Sequence, residues 1–509
     1  MKEKTCILDP IETKFIKNNS ISKIVAPYLS VVINKSLQEG IFPENEKIGI
    51  ITPILKPNKD PNIISSYRPV TSLSFVSKLL ENIVHEQLTN YLNINKLIPK
   101  FQSAYRYKHS TTTALLKIQT DIINILAKGE SVIYLSLDIT AAFDTIIHLL
   151  LLKCLKNIGI SGTPLKWFRS YLKNRKIKVK AKKIFSKLFD LIIGIPQGGV
   201  LSPTLYSIYI SDICQLLKKY NIQFHLYADD IIIYFTSKNL TIDQIQEKVN
   251  IFMTAIQNYM LDKHLKLNPN KTEIMHISHK AKLNLKFDSL SINNIRVTLK
   301  SAIKSIGYTI DNKFTFKHQI SQTIKKCNYA LHSISKIRQF LDHNATKILI
   351  NALVISKLEY NLELLFNINQ KDINKLDKIL KKSTRIIFKL KKRDNVREYM
   401  KKLKWLPIIE RIKLKNIKII HNGIRYKSPE YIYNLFEINE PQNNIQTRQN
   451  NGCNLKIPKP VSEFHRKALS IYGPSLYNNI PLNIRNSNNF NKKIHKYVQD
   501  KYFNDFTSL

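Results

Sequence analysis

Phe224-His225-Leu226-Tyr227-Ala228-Asp229-Asp230-Ile231-Ile232-Ile233-Tyr234-Phe235 is two apolar runs joined at a pair of acids. Runs rich in β-branched and aromatic residues predict strands, and the acids between them predict a β-hairpin whose turn is Asp229-Asp230. Arms this apolar belong in a core, so an acidic tip calls for an explanation. Upstream, Ser131 to Ile139 predicts another strand, with Asp138 near its C-terminal end. If the two strands are neighbours in one sheet, three carboxylates converge at one edge. Unneutralised, they would repel and raise one another's pKa.

A hard divalent cation removes that repulsion, and Mg²⁺ is commonly held by a few carboxylates together with substrate phosphates. Two such ions suit a nucleotidyl transfer, in which both the attacking and the leaving oxygen need stabilising. The competing reading is an ordinary polar turn and an ordinary strand end, and a tetrapeptide alone does not decide between them.

Neighbouring segments weigh against that competitor. Phe143, five residues after Asp138, is placed to put a ring against a nucleotide sugar, or to pack in the core. Asp144 precedes a predicted helix and suits its N-cap. Gly194-Ile195-Pro196-Gln197-Gly198-Gly199-Val200-Leu201-Ser202-Pro203 carries three of the chain's 12 glycines, which implies close backbone approach to something. Gln197 offers an amide to a base or sugar; the competing reading is a tight strand-to-helix turn.

Around these segments, residues 1–47 read as mostly helical, broken at Gly40 to Pro43. Ile48 to Leu55 predicts a strand in which Pro53 suits an edge position. Lys56 to Tyr67 reads as a polar loop, and Ser77 to Leu92 as an amphipathic helix. A helix from about Thr145 to Asn157 ends at Gly159. Ile177 to Lys180 and Phe189 to Ile193 predict strands, Leu201 to Leu217 and Ile242 to Leu261 helices, and Thr272 to Ser278 a strand. The order fits a split βαβ layout of ferredoxin type. Beyond about 315 the chain reads as helical, with an Asn-, Gln-, Pro- and Lys-rich linker at 437–462.

The 509 residues are too many for one core and hydrophobic residues are 43%, so several lobes are expected and wholesale disorder is excluded. Lys plus Arg number 80 against 37 Asp plus Glu, a formal charge of +43. A polyanionic partner, nucleic acid before a membrane surface, accounts for such an excess; AT-rich coding accounts for part of it. Five scattered cysteines, none at zinc-like spacing, point to a reducing compartment without structural zinc. Neither a signal peptide nor a membrane-length apolar run is evident.

The blocks together resemble the reverse transcriptases of non-LTR (LINE-type) retrotransposons, in particular the jockey-like group. In order they are Ser66 to Leu73, Gln102 to Arg106 with His109-Ser110-Thr111, Ser136 to Asp144, Gly194 to Pro203, Tyr227 to Asp230, Leu265 to Asn268 with Lys271-Thr272, and Lys304 to Tyr308. The likeness continues more weakly through Leu403 to Pro407 and Tyr472-Gly473-Pro474. It implies an α+β right-hand polymerase: an N-terminal helical extension at 1–44, fingers and ferredoxin-like palm at 45–312, a helical thumb at 313–390, and a mainly helical, basic C-terminal extension at 391–509.

The resemblance also implies that Asp138, Asp229 and Asp230 bind two Mg²⁺ ions, with Mn²⁺ as a substitute. Phe143 falls on the sugar gate and Gln197 on the nucleotide-site glutamine. Arg68, Lys56 and Arg106 are candidates for the triphosphate, since a guanidinium bonds two phosphate oxygens at once. Lys271 is a candidate proton donor to pyrophosphate or a phosphate contact, or a solvated lysine. Pro196, Gly198 and Tyr227 would line the template–primer. Implied partners are an RNA template, a DNA primer and deoxynucleoside triphosphates, in the nucleus or a cytoplasmic ribonucleoprotein particle.

Gly199 stands where many relatives carry Ser. Neither an N-terminal endonuclease nor a C-terminal Cys/His knuckle is evident, so a truncated or separately encoded copy is expected. A catalytically silent nucleic-acid-binding remnant is the alternative. Viral RNA-copying enzymes fit less well, having Gly where this chain has Ala228 and a small residue in place of Phe143. Group II intron enzymes often end in a Cys-rich nuclease. The basic run from Lys389 to Lys402 reads as a template-binding face before a nuclear signal.

Overall fold

The computed structural model describes residues 6–238, 240–278, 288–292, 295–366, 368–439 and 454–504. Helices α1 (Thr13–Ile16) and α2 (Asn19–Glu39) open it. Asn18 caps α2 by accepting from the Ser20 N–H, and Gly40 ends it in the left-handed region at φ 66°. Strands β1 (Ile48–Leu55) and β2 (Tyr67–Ser72) follow, then α3 (Phe75–Ile94), capped by Ser74, and α4 (Thr111–Ala127), opened by a Ser110/Thr113 capping box. Next come β3 (Val132–Thr140), α5 (His148–Asn157), α6 (Gly162–Leu172), β4 (Lys176–Ala181), β5 (Ile184–Phe185) and β6 (Phe189–Asp190). Helices α7 (Ser202–Tyr209) and α8 (Ile213–Lys219) lead to the hairpin β7 (Gln223–Tyr227) and β8 (Asp230–Thr236).

After α9 (Ile242–Asp262) come β9 (Lys266–Leu267), β10 (Glu273–Ile277), and the pairs β11 (Ser289–Ile292) with β12 (Ile295–Thr298) and β13 (Ala302–Ser305) with β14 (Tyr308–Asp311). The remainder is mainly helical: α10 (Lys317–Ile337), α11 (His343–Ile350), α12 (Ser356–Leu358), α13 (Gln370–Phe388), α14 (Val396–Lys402), α15 (Ile408–Tyr426), α16 (Glu430–Tyr433), α17 (Leu469–Asn478), α18 (Leu482–Arg485) and α19 (Phe490–Asn504). None of the described helices is long and apolar enough to cross a membrane.

The chain divides into two compact units. The first comprises Met1–Tyr105, Leu137–Ile222 and Val249–Lys271. Its sheet runs β2-β1-β4-β5, with β6 also on β4. The strand expected at an edge is therefore internal. Pro53 is tolerated because β4 pairs with β1 only from Ile48 to Ile51, leaving Pro53 flanked by β2 alone. The single helix expected over Leu201 to Leu217 is two helices, α7 and α8, broken at Ile210 to Asp212.

The second unit comprises Arg106–Ser136, Gln223–Lys248 and Thr272–Leu509. Its sheet order is β10-β3-β8-β7, which is that of the split βαβ layout, and β3 continues beyond this unit at Leu137. Val132 to Leu135 and Ile231 to Tyr234 are at most 1% exposed, as central strands covered on both faces must be. Tyr234 donates to Asp121 of α4 at 2.5 Å, and Tyr134 to Ser305 of β13 at 2.8 Å.

C-terminal residues belong to this same unit. Tyr431 of α16 stands edge-on to His109 and His225, and its hydroxyl lies 3.0 Å from Thr113 Oγ1. Of the linker expected at 437–462, residues 440–453 lie outside the described ones; Ile438 and Leu455 on either side form an antiparallel bridge. Leu406, Leu414, Ile417, Ile480, Phe490 and Ile494 form a core of their own.

Candidate active site

In the first unit, the loop from Gly194 to Gly199 packs against the protein's own backbone. A Cβ on Gly194 would come within 2.8 Å of the Asp144 carbonyl oxygen, and one on Gly198, at φ 123°, within 2.5 Å of the Thr71 carbonyl oxygen. Only glycine fits either place. The Gln197 carbonyl accepts from the Thr71 N–H at 2.6 Å, and Pro196 accepts from the Gly199 N–H and the Ser202 hydroxyl. A Cβ on Gly199 would stand 2.8 Å from Ser202 Oγ and 3.1 Å from Glu81 Oε2.

Gln197 donates its amide to both carboxylate oxygens of Asp144, at 2.8 and 2.7 Å. This corrects the expectation for Asp144. The residue before α5 is Ile147, which makes no side-chain cap, and Asp144 orients Gln197 instead. Burial raises the Asp144 pKa, and the Gln197 hydrogen bonds oppose the rise. Phe143, half-buried, tilts against the ring of Tyr206 at 5.1 Å between centroids.

Asp138 lies on the part of β3 that belongs to the first unit. Its carboxylate accepts from Lys271 at 2.8 Å, and its carbonyl accepts from the Asn268 N–H at 2.9 Å. Ile139 and Thr140 pair with β9, which brings the Leu265 to Lys271 segment beside Asp138. Arg68 projects exposed from β2. Lys56 donates to the Ser65 carbonyl at 2.8 Å and thereby closes the loop between β1 and β2.

In the second unit the hairpin turn lies one residue earlier than expected. Tyr227 pairs with Asp230, so the two-residue turn is Ala228-Asp229 rather than Asp229-Asp230. Ala228 sits at φ 55°, a left-handed conformation costing on the order of 1 kcal/mol, which the buried arms offset. Asp229 and Asp230 are partly exposed, and burial raises the Tyr227 pKa. Arg106 stands with Glu430 and Tyr431; burial lowers its pKa and those two oppose the shift.

Among the described residues, no three His, Cys, Asp or Glu side chains are gathered as a metal-holding group. Asp229 and Asp230 of the second unit, like Asp138 of the first, offer carboxylate oxygens, the donor type a hard divalent cation takes.

One element of the site escaped the sequence reading. Glu81, fully buried on α3, accepts from the Val200 N–H at 2.6 Å, the Leu201 N–H at 3.2 Å and the Tyr171 hydroxyl at 3.1 Å. It anchors the backbone between the Gln197 loop and α7. Burial raises its pKa, opposed first by Arg175. The available signal was a glutamate next to Leu80 on a helix otherwise read for its apolar stripe.

A family model described as reverse transcriptase (RNA-dependent DNA polymerase) matches residues 54–310, just over half of the chain. The RNA-directed DNA polymerase from mobile element jockey of Drosophila funebris is 28% identical over 322 residues, 61% of this chain and 34% of that protein. The probable RNA-directed DNA polymerase from transposon BS of Drosophila melanogaster is 26% identical over 329 residues, 63% of this chain and 35% of that protein. The chain thus spans about a third of the length of these curated relatives. Among solved structures, apo telomerase from Candida tropicalis aligns with a TM-score of 0.42 at 14% identity, covering 82% of this chain and 74% of that one.

Proposed function

Because the chain belongs to the reverse transcriptase (RNA-dependent DNA polymerase) family, we propose that it is an RNA-directed DNA polymerase of the non-LTR retrotransposon kind, extending a DNA 3′ end on an RNA template. The observation that carries this reading is the sheet order. The order β10-β3-β8-β7 is that of a split βαβ palm, and its hairpin carries Asp229 and Asp230 at the turn and the start of β8, which supports the reading. On this reading residues 45–312 are fingers and palm, 313–390 the thumb and 391–509 an extension. The protein works in the nucleus or a cytoplasmic ribonucleoprotein particle.

Asp138, Asp229 and Asp230 would hold two Mg²⁺ ions, or Mn²⁺ in their place, which when bound supply charge stabilisation to the attacking and leaving oxygens. The chain's own residues do the rest. Arg68 binds the triphosphate, with Lys56 holding the loop above it and Arg106 as a further candidate. Phe143 crowds the sugar where a ribonucleotide carries its 2′-hydroxyl. Gln197, oriented by Asp144, presents the outer edge of its amide to the nucleotide, while Pro196, Gly198 and Tyr227 line the template–primer. Lys271, now neutralising Asp138, is placed to give a proton or a contact to a phosphate.

Incorporation of labelled deoxynucleotides on poly(rA)·oligo(dT) with Mg²⁺ tests the proposal. The Asp229→Asn/Asp230→Asn variant is expected to lose about a thousandfold in rate, roughly 4 kcal/mol of barrier. Equal rates for wild type and variant would refute it. The formal charge of +43 would persist without catalysis and favours a second reading, a silent nucleic-acid binder, which would shift RNA in a salt-dependent way without incorporation.

A further inference from the structure

Residues 173–187, Lys-Asn-Arg-Lys-Ile-Lys-Val-Lys-Ala-Lys-Lys-Ile-Phe-Ser-Lys, form a basic ribbon that the proposed chemistry does not use. β4 carries Lys176, Lys178 and Lys180 at alternate positions, hence on one face. Lys182, at φ 56°, and Lys183 make the turn into β5. From Lys176 to Asp190 the single acid is Asp190, which stands across from Lys176 at the ribbon's base. Among the described residues, Lys178, Lys180, Lys182, Lys183 and Lys187 enter no ion pair, although concentrated positive charge repels itself.

Apolar groups are interleaved with these lysines. Lys178 and Lys180 each lie 5.8 Å from the ring of Phe185, and Lys187 lies 5.6 Å from that of Phe189. Phe189 is 45% exposed and Ile184 75% exposed. A ribbon built for stability would bury such groups, whereas a row of lysines beside an exposed ring suits a strand of unpaired nucleotides.

The sheet register places this ribbon with respect to Arg68. Ile50 pairs with both Ser72 of β2 and Lys178 of β4, and Ile54 pairs with Arg68. Because paired residues share a face and faces alternate, Arg68, Val70, Lys178 and Lys180 all belong to one side of the sheet. Lys178 and Lys180 are about 7 Å apart along the strand, a step comparable to that between successive phosphates of an extended chain.

We propose that the β4–β5 ribbon is a binding track for single-stranded RNA, with Lys178, Lys180 and Lys182 on successive phosphates and Phe189 as a stacking surface. RNA as the partner rests on the polymerase reading above. The single-stranded form rests on the exposed ring of Phe189, because base faces are hidden in a duplex.

The test measures anisotropy of a labelled single-stranded RNA on the full chain, without nucleotides, across a salt series. Each phosphate contact on a single strand contributes about 0.7 to the slope of log K against log salt, so Lys178→Gln/Lys180→Gln/Lys182→Gln should lower the slope by about 2. The arginine triple variant at the same positions should keep the slope. Lys492→Gln/Lys493→Gln/Lys496→Gln on α19 removes the same charge elsewhere and should leave it within about half a unit.

Equal falls in both glutamine variants would reduce the ribbon to diffuse charge and overturn the proposal. So would an unchanged slope, or a duplex competing as well as the single strand. Incorporation on poly(rA)·oligo(dT) reports the polymerase reading and the salt slope without nucleotides reports this one, so the failure of either is seen separately.

Discussion

Glu81 and Asp138 are two carboxylates in the same compact unit, held in opposite ways. Glu81 is fully buried, and three protein donors and a nearby guanidinium answer its charge. Asp138 keeps 23% of its side chain exposed and pairs with a lysine that is itself 63% exposed. A carboxylate wholly satisfied by the fold belongs to the scaffold, because any ligand would have to break bonds already made. One whose partner is a solvent-exposed lysine can exchange that partner for a metal cation at little cost, which frees the lysine for a phosphate.

The widest separation is expected from neutralising each acid in turn. Glu81→Leu leaves Arg175 buried without its counter-charge and should lower unfolding free energy by about 3–5 kcal/mol. Asp138→Asn should abolish incorporation while leaving the denaturant midpoint within experimental error. If Asp138→Asn proves as destabilising as Glu81→Leu, the contrast is broken.

Histidines of the second unit extend the contrast to pH. Burial pushes the His225 pKa down to about 3 and that of His109 down to about 4. Below about pH 6.5 the unfolded chain takes up protons that the native state refuses. Their contribution is therefore complete above that pH and falls as pH drops toward about 4 for His109 and about 3 for His225. The loss is at most about 1.4 kcal/mol per pH unit for each. Denaturant melts between pH 7 and pH 5 should show a shallower dependence for His225→Phe than for wild type; parallel curves would contradict the assignment.

A smaller effect sharpens the role of Phe143, which packs on Tyr206 yet is only half-buried. Phe143→Val should raise the ratio of ribonucleotide to deoxynucleotide incorporation roughly tenfold with little change in stability. A loss of stability without a change in that ratio would return Phe143 to the core. The smallest expected change is that of Ser110→Ala, which removes the capping box of α4 and should cost about 1 kcal/mol in a denaturant melt.

Much of the architecture is legible in the chain. Alternation and turn chemistry predict β1, β3, the β7–β8 hairpin and β10, and the block order leads to the family. These features are local, set by the period of apolar residues and by glycines that tolerate no Cβ. The sequence by itself also determines which acids, rings and amides are available to a site.

Tertiary structure alone decided who holds whom. Gln197 and Asp144 are 53 positions apart, Glu81 and Val200 are 119 apart, and Lys271 and Asp138 are 133 apart. No local periodicity encodes such pairs, since they depend on where whole elements come to rest. It also moved the hairpin turn by one residue, to Ala228-Asp229, and put Pro53 on an internal strand. Both follow from strand pairing, which is a contest between registers that only the assembled sheet resolves.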